Sequence, residues 1–255
     1  MNLRFIISLI LLITLGSAYG QTSPVVVTSI KPIHSIVSSL MSGIAEPELL
    51  LKSNNSAHTF HLKPSQIRLI SDADLVITVD ENFEIGLKKA LKNTNSDSLM
   101  SVSGSDNLKI YSARDSIFEK DEEQEEQEEQ EEQDHSILDY HLWLSTENVQ
   151  LIANTITSRL KALDPSNEET YVTNLKKFNL RMDMLNRDLV AQLKSIKSKR
   201  IAVIDDTLQY FEKDQMLQRP VIVTPYHGAR LSVKRTLESK RMIKNLKISD
   251  RKSVV

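Results

Sequence analysis

The sequence predicts an α/β fold of two (β/α) lobes joined by one long helix, with the second lobe incomplete. Three patterns point to it. Short apolar runs alternate with helical stripes between Val25 and Leu91, one stripe then steps by three and four residues from Tyr171 to Ile196, and strand and helix alternate again from Ile201. The expected segments are a leader at 1–20, a first lobe at 21–145 holding an acidic insert at 119–134, helices including the connector at 146–198, and the second lobe at 199–255.

Met1 to Gly20 carries one basic residue, Arg4, an apolar run from Phe5 to Leu15, and a small-x-small end at Ala18-Tyr19-Gly20. This is the pattern of a cleavable secretory signal peptide, and the run is too short for an ordinary membrane-spanning helix. The chain has no cysteine, which excludes disulfides, thiolate ligands, a cysteine nucleophile and a lipid anchor on an N-terminal cysteine. A bacterial periplasm is the expected compartment. The net charge of -2 hides a split: Glu119 to Asp134 hold eleven carboxylates and one lysine, or -10, leaving +8 elsewhere. Those basic residues are dispersed without arginine and aromatic interleaving, which argues against a nucleic-acid surface.

Val25 to Ile30 reads as a strand that passes into a helix with Ile33, Ile36, Val37 and Leu40 on one face and Gly43 as its stop. His34, in the first turn, is a polar junction residue or a cleft-lining one. A second apolar run at Glu48 to Leu51 completes a βαβ unit. The loop A-H-T-F-H-L-K-P-S, Ala57 to Ser65, presents His58 and His61 and ends at Pro64, suited to a first helical position. By itself such a pair is as consistent with surface histidines as with ligands. Ser65 to Ser71 is a short helix, Ala73 to Val79 a buried strand, and Glu81 to Leu91 a second helix. Such alternation favours a mostly parallel sheet, whose ligands sit beyond the carboxyl ends of the strands. Lys92 to Asp106 is polar, and Leu108 to Tyr111 is a candidate strand.

The insert D-E-E-Q-E-E-Q-E-E-Q-E-E-Q cannot bury apolar surface and reads as a solvated linker or as a weak concentrator of cations. After it, D-Y-H-L-W-L-S sets His141 at the edge of buried residues, where an imidazole must be paired or liganded. Ser145 can cap the next helix, whose stripe is Val149, Ile152, Ala153, Ile156, Leu160 and Leu163. Asp164-Pro165 restarts the chain into the longest helix, which either joins the lobes or pairs as a coiled coil; its flanking strand and helix patterns favour the first.

Ile201 to Ile204 is a strand ending in Asp205-Asp206, carboxylates placed to hold a metal or to accept backbone hydrogens of the next helix. Thr207 to Leu217 continues as that helix, Val221 to Val223 as a strand, His227 lies in a turn, and Ser232 to Leu246 is a basic amphipathic helix. Lys247 to Val255 opens as a further strand. A lobe this small has little core, so a truncated chain or a completing partner is expected.

Taken together, V-V-V-T-S-I-K-P-I, A-H-T-F-H-L-K-P-S-Q, A-D-L-V-I-T-V, Y-H-L-W-L-S and Q-Y-F-E-K resemble, in order and interval, the substrate-binding proteins of zinc and manganese ABC transporters, the ZnuA-like family. That resemblance implies two lobes with one metal in the cleft and an insert before H-L-W-L, here glutamate-rich where the zinc branch has histidine. It places His58 and His141 on the first two ligands and His61 where no ligand is needed. Asp205 stands where zinc-type members carry histidine and manganese-type members a carboxylate, with Asp206 beside it. The family's fourth, acidic ligand would follow Ile248, and no residue here matches it. The implied set is therefore His58, His141 and Asp205, completed by water, His61 or an insert carboxylate. Two imidazoles and one carboxylate suit Zn2+ and allow Mn2+. The implied function is capture of the ion in the periplasm by a soluble monomer that docks on an ABC permease, with no enzymatic step. The competing expectations are a weakly binding interaction module or gene fragment, and a zinc hydrolase. Against the hydrolase, no H-E-x-x-H occurs and no glutamate stands next to either ligand histidine as general base.

Overall fold

The structure, a computed structural model, describes residues 23–52, 60–92, 94–114, 138–203 and 205–222, together with 237, 240–241 and 243–245. The leader, His58, the acidic insert, His227, most of 232–246 and all of 247–255 lie outside the described residues. No helix among the described residues is long and apolar enough to cross a membrane.

The first lobe is built on a four-stranded parallel sheet of order β2-β1-β3-β4, where β1 is Val26–Thr28, β2 Glu48–Leu49, β3 Leu75–Thr78 and β4 Leu99–Ser101. Val26 pairs with Leu75 and Val76 with Leu99. The two central strands are buried at every position, as their unbroken apolar runs require when both sheet faces are covered. Helix α1, Lys31–Leu40, turns Ile33, Ile36, Val37 and Leu40 inward, and Gly43 supplies the left-handed backbone (φ 83°) that ends this segment.

Helix α2, Pro64–Ser71, begins at the proline as expected. The Gln66 side chain accepts the Lys63 N–H at Oε1 (2.9 Å) and donates from Nε2 to Leu50 O at 2.6 Å, so the exit of the histidine loop is tied to the end of β2. Phe60 is buried in the core, and its carbonyl lies so close to Gly86 that a Cβ there would clash.

Two expectations fail locally. The helix expected over Glu81–Leu91 is a 3-10 turn at Ile85–Leu87 followed by α3, Lys88–Leu91. Before it, Asp80 Oδ1 accepts the Asn82 N–H at 2.8 Å and Glu84 Oε2 reaches back to the Val79 N–H at 2.7 Å. These side chains offer the backbone a turn in place of a helix. The stretch expected to be polar loop contains β4, because half-buried Leu99 and Met100 suffice for an edge strand. The strand expected at Leu108–Tyr111 is β5, Tyr111–Ser112, antiparallel to β6, Leu138–Asp139.

Helix α4, Thr146–Leu163, is capped by Ser145 Oγ, which accepts the Asn148 N–H at 3.1 Å, and it buries Val149, Ile152, Ala153, Ile156 and Leu160. Helix α5, Glu168–Leu193, has 26 residues and so spans about 39 Å. Tyr171, Asn174 and Phe178 are its buried residues, packed on α1 and α4. The Asn174 amide donates to Leu40 O at 2.9 Å and Ser42 O at 2.8 Å, closing the carboxyl end of α1.

Beyond this connector the described residues of the second lobe include β7, Ala202–Val203, helix α6, Gln209–Asp214, and β8, Val221–Ile222, with β7 and β8 parallel. Its Tyr210 is fully buried and belongs to the same core as the first lobe. The fold is the expected bilobed α/β architecture with a long connecting helix.

Candidate metal centre

Strand β6 ends at Asp139, and Tyr140-His141 turn into a 3-10 segment, Leu142–Leu144. Leu142 is fully buried, and Phe83 and Trp143 meet the His141 ring edge-on, with centroids 5.5 and 5.3 Å away. His141 is 8% exposed, so its polar nitrogens must be paired. Asp139 Oδ1 accepts both the backbone N–H of His141 at 3.0 Å and its Nδ1 hydrogen at 2.8 Å. A carboxylate oxygen accepts, so Nδ1 is the nitrogen that carries hydrogen, and in the neutral imidazole Nε2 is the one with a lone pair. This is how metal-ligating histidines are commonly oriented by a neighbouring carboxylate.

Asp139 is itself fully buried and held from the second lobe. Its Oδ2 accepts the Gln209 amide at 3.1 Å, and its backbone carbonyl accepts the Tyr210 hydroxyl at 2.5 Å. Asp205, the carboxylate expected as a ligand, is exposed in the turn before α6. Its neighbour Asp206 is buried and takes neither role expected of the pair. It is ion-paired with Arg114, whose Nε donates to Asp206 Oδ2 at 2.8 Å and whose Nη1 donates to buried Glu212 at 2.7 Å. Burial pushes the Arg114 pKa down, but the bonds to Asp206 and Glu212 outweigh it and hold the group above its ordinary value. The Thr146 N–H donates to Asp214 Oδ2 at 2.9 Å. Through these bonds the turn bearing Asp205 and the hairpin leading to His141 are brought to one interface.

The other sequence candidates fall elsewhere. His61 is exposed and lines a cavity of about 590 Å³ between α2 and α3 with Ile67, Ile70, Lys89 and Asn95. His34 contacts Pro47 O through Nε2 at 2.9 Å, a junction role. Among the described residues no three His, Asp or Glu side chains converge on a metal-sized site. His58 lies outside those residues.

Below Phe83, Glu84 is fully buried, and burial raises its pKa to about 7, partly offset by the nearby Ser29 hydroxyl, which falls outside hydrogen-bond geometry, and by backbone N–H groups. Arg114, Asp139 and Gln209 escaped sequence reading. Asp139 carried a signal, a carboxylate two residues before a histidine expected to be buried; Gln209 opens the Q-Y-F-E-K phrase of the resemblance with no role attached to it, and nothing periodic marks a lone arginine beside an acidic run.

The high-affinity zinc uptake system protein ZnuA of Brucella abortus (strain 2308) is 31% identical over 226 residues, covering 77% of this chain and 66% of the relative. The chain thus spans about two thirds of that relative's length. The fold matches a zinc-bound ZnuA deletion mutant at a TM-score of 0.72 and 21% identity, covering 89% of this chain and 79% of that one. It also matches a Mn-bound periplasmic metal-binding protein of Candidatus Liberibacter asiaticus at a TM-score of 0.68 and 17% identity, covering 89% and 77%. Residues 26–249 match the family model described as zinc-uptake complex component A, periplasmic, and the chain belongs to that family.

Proposed function

We propose that this chain is a periplasmic solute-binding protein that captures a divalent transition metal, zinc foremost and manganese second, and hands it to an ABC permease as a soluble monomer. The observation that carries this is the Asp139–His141 pair, a buried imidazole whose Nδ1 is committed to a carboxylate and whose Nε2 is thereby set as the donor atom for an ion. His58, His141 and Asp205 are assigned as ligands, with water completing the shell. That set of two nitrogens and one oxygen suits Zn2+ and tolerates Mn2+, in keeping with the zinc- and manganese-bound relatives.

Family membership and the Brucella relative support the periplasmic address, and with it the reading of 1–20 as a signal peptide. Residues 21–145 form the N-terminal metal-binding lobe with its acidic insert at 119–134, 146–198 the helices that include the connector, and 199–255 belong to the second lobe. Capture followed by release needs no bond-making step. A hydrolase would need a general base beside the ion, and Asp139 is already engaged by His141 and Gln209.

Zinc competition titration against a chromophoric chelator tests the assignment. The expected result is one zinc per chain and loss of most of that affinity in His141→Ala. Equal binding by that variant would overturn the role of His141, and tighter binding of manganese than of zinc would reverse the order of ions.

A further inference from the structure

Gln209 belongs to the second lobe, yet its amide ends inside the first. Nε2 donates to the Ser112 carbonyl at 2.9 Å and to Asp139 Oδ2 at 3.1 Å, and the residue is 2% exposed. Both partners are acceptors, which fixes the amide: the nitrogen faces the β5–β6 hairpin and spends both hydrogens there. The other oxygen of the same carboxylate takes the Nδ1 hydrogen of His141.

We propose that Gln209 is a positioning residue for metal capture. By holding Oδ2 of Asp139 it turns Oδ1 toward His141, and so sets the tautomer and aim of the imidazole from the opposite lobe. The inference rests on His141 being a ligand. Its consequence is that a second-lobe amide holds one oxygen of the carboxylate whose other oxygen, also bonded by the His141 backbone N–H, orients the imidazole.

Other contacts seat α6 without touching that carboxylate. Arg114 binds Asp206 and Glu212, and Asp214 accepts the Thr146 N–H at the start of α4. Loss of seating alone can therefore be separated from loss of the Asp139 bond. Gln209→Met keeps the length of the side chain and removes both donors; Asp214→Ala removes a seating contact and leaves Gln209 intact.

The test is zinc competition titration of the whole chain, with Co2+ absorption spectra of the same variants. Gln209→Met is expected to bind zinc about ten-fold more weakly, as orienting partners of metal ligands generally do when removed, and to alter the Co2+ ligand-field bands. Asp214→Ala is expected to retain wild-type affinity and spectrum. Wild-type affinity in Gln209→Met, or an equal loss in Asp214→Ala, overturns the inference. Should Gln209→Met not fold, Gln209→Ala, which leaves room for water at the Ser112 carbonyl, is read in the same way. His141→Ala separates the two levels: if it binds like wild type, the ligand assignment falls, whereas if it loses zinc and Gln209→Met does not, only the positioning role falls.

Discussion

The two halves of α5 carry one apolar stripe and meet different surroundings. In the first half Tyr171 and Phe178 are buried against α1 and α4. In the second, Met184 is 57% and Leu185 43% exposed, and Leu189 and Leu193 are only half-buried. The spacing of the stripe states which face is apolar but not what covers it. Burial stabilises by roughly 25 cal/mol per Å² only where a partner removes that area from water. The first lobe meets the helix with a core; the described part of the second lobe meets the first mainly through buried polar and charged bonds.

Truncation at each kind of contact should break the contrast if it is misplaced. Phe178→Ala is expected to cost about 3–5 kcal/mol of unfolding free energy in urea, the range for a large core aromatic. Arg114→Met should approach the same cost, about 3–5 kcal/mol, because it strands the carboxylates of Asp206 and Glu212 without their counter-charge. A loss below about 1 kcal/mol for Arg114→Met would mean that water reaches those carboxylates and that the second lobe is not seated as described.

The core that covers the first half of α5 also holds Glu84, and its burial makes stability depend on pH. The folded pKa of about 7 lies above the ordinary 4.5, so the folded state keeps its proton through that window. The resulting contribution is fully present below pH 4.5 and lost as pH rises through 7, about 3 kcal/mol in all. Glu84→Gln cannot ionise. Its stability relative to wild type should therefore rise between pH 5 and pH 8 by up to about 3 kcal/mol in urea unfolding. A constant difference across that range would place Glu84 in contact with water.

The elements that sequence displayed are those with long, repeated patterns. The runs at Val26 and Leu75 gave the parallel sheet, and the stripes of α4 and α5 gave their faces, because many residues agreed. The turn at Asp80–Glu84 and strand β4 did not show, since each rests on two or three side chains whose bonds depend on tertiary neighbours. His141 was legible as a buried histidine needing a partner. Its partner Asp139, only two residues before it, left a local signal; the Gln209 beyond it and the Arg114 clasp were not legible as contacts, because hydrogen bonds linking residues 70 to 98 positions apart leave no local spacing to read.

The smallest effect sharpens the contrast most. Leu185→Ser changes an exposed position on the second half of α5 and should alter unfolding free energy by no more than about 0.5 kcal/mol. Serine is also a slightly poorer helix former than leucine, by a few tenths of a kcal/mol, which acts in the same direction and lies inside that bound. A cost of 2 kcal/mol or more, in the range of about 2–5 kcal/mol seen for buried leucine truncations, would mean that Leu185 is covered in solution. Sedimentation at two concentrations would then separate the two covers. A cost that falls on dilution as dimers dissociate assigns it to a second copy of the chain, and a cost independent of concentration to the chain's own second lobe.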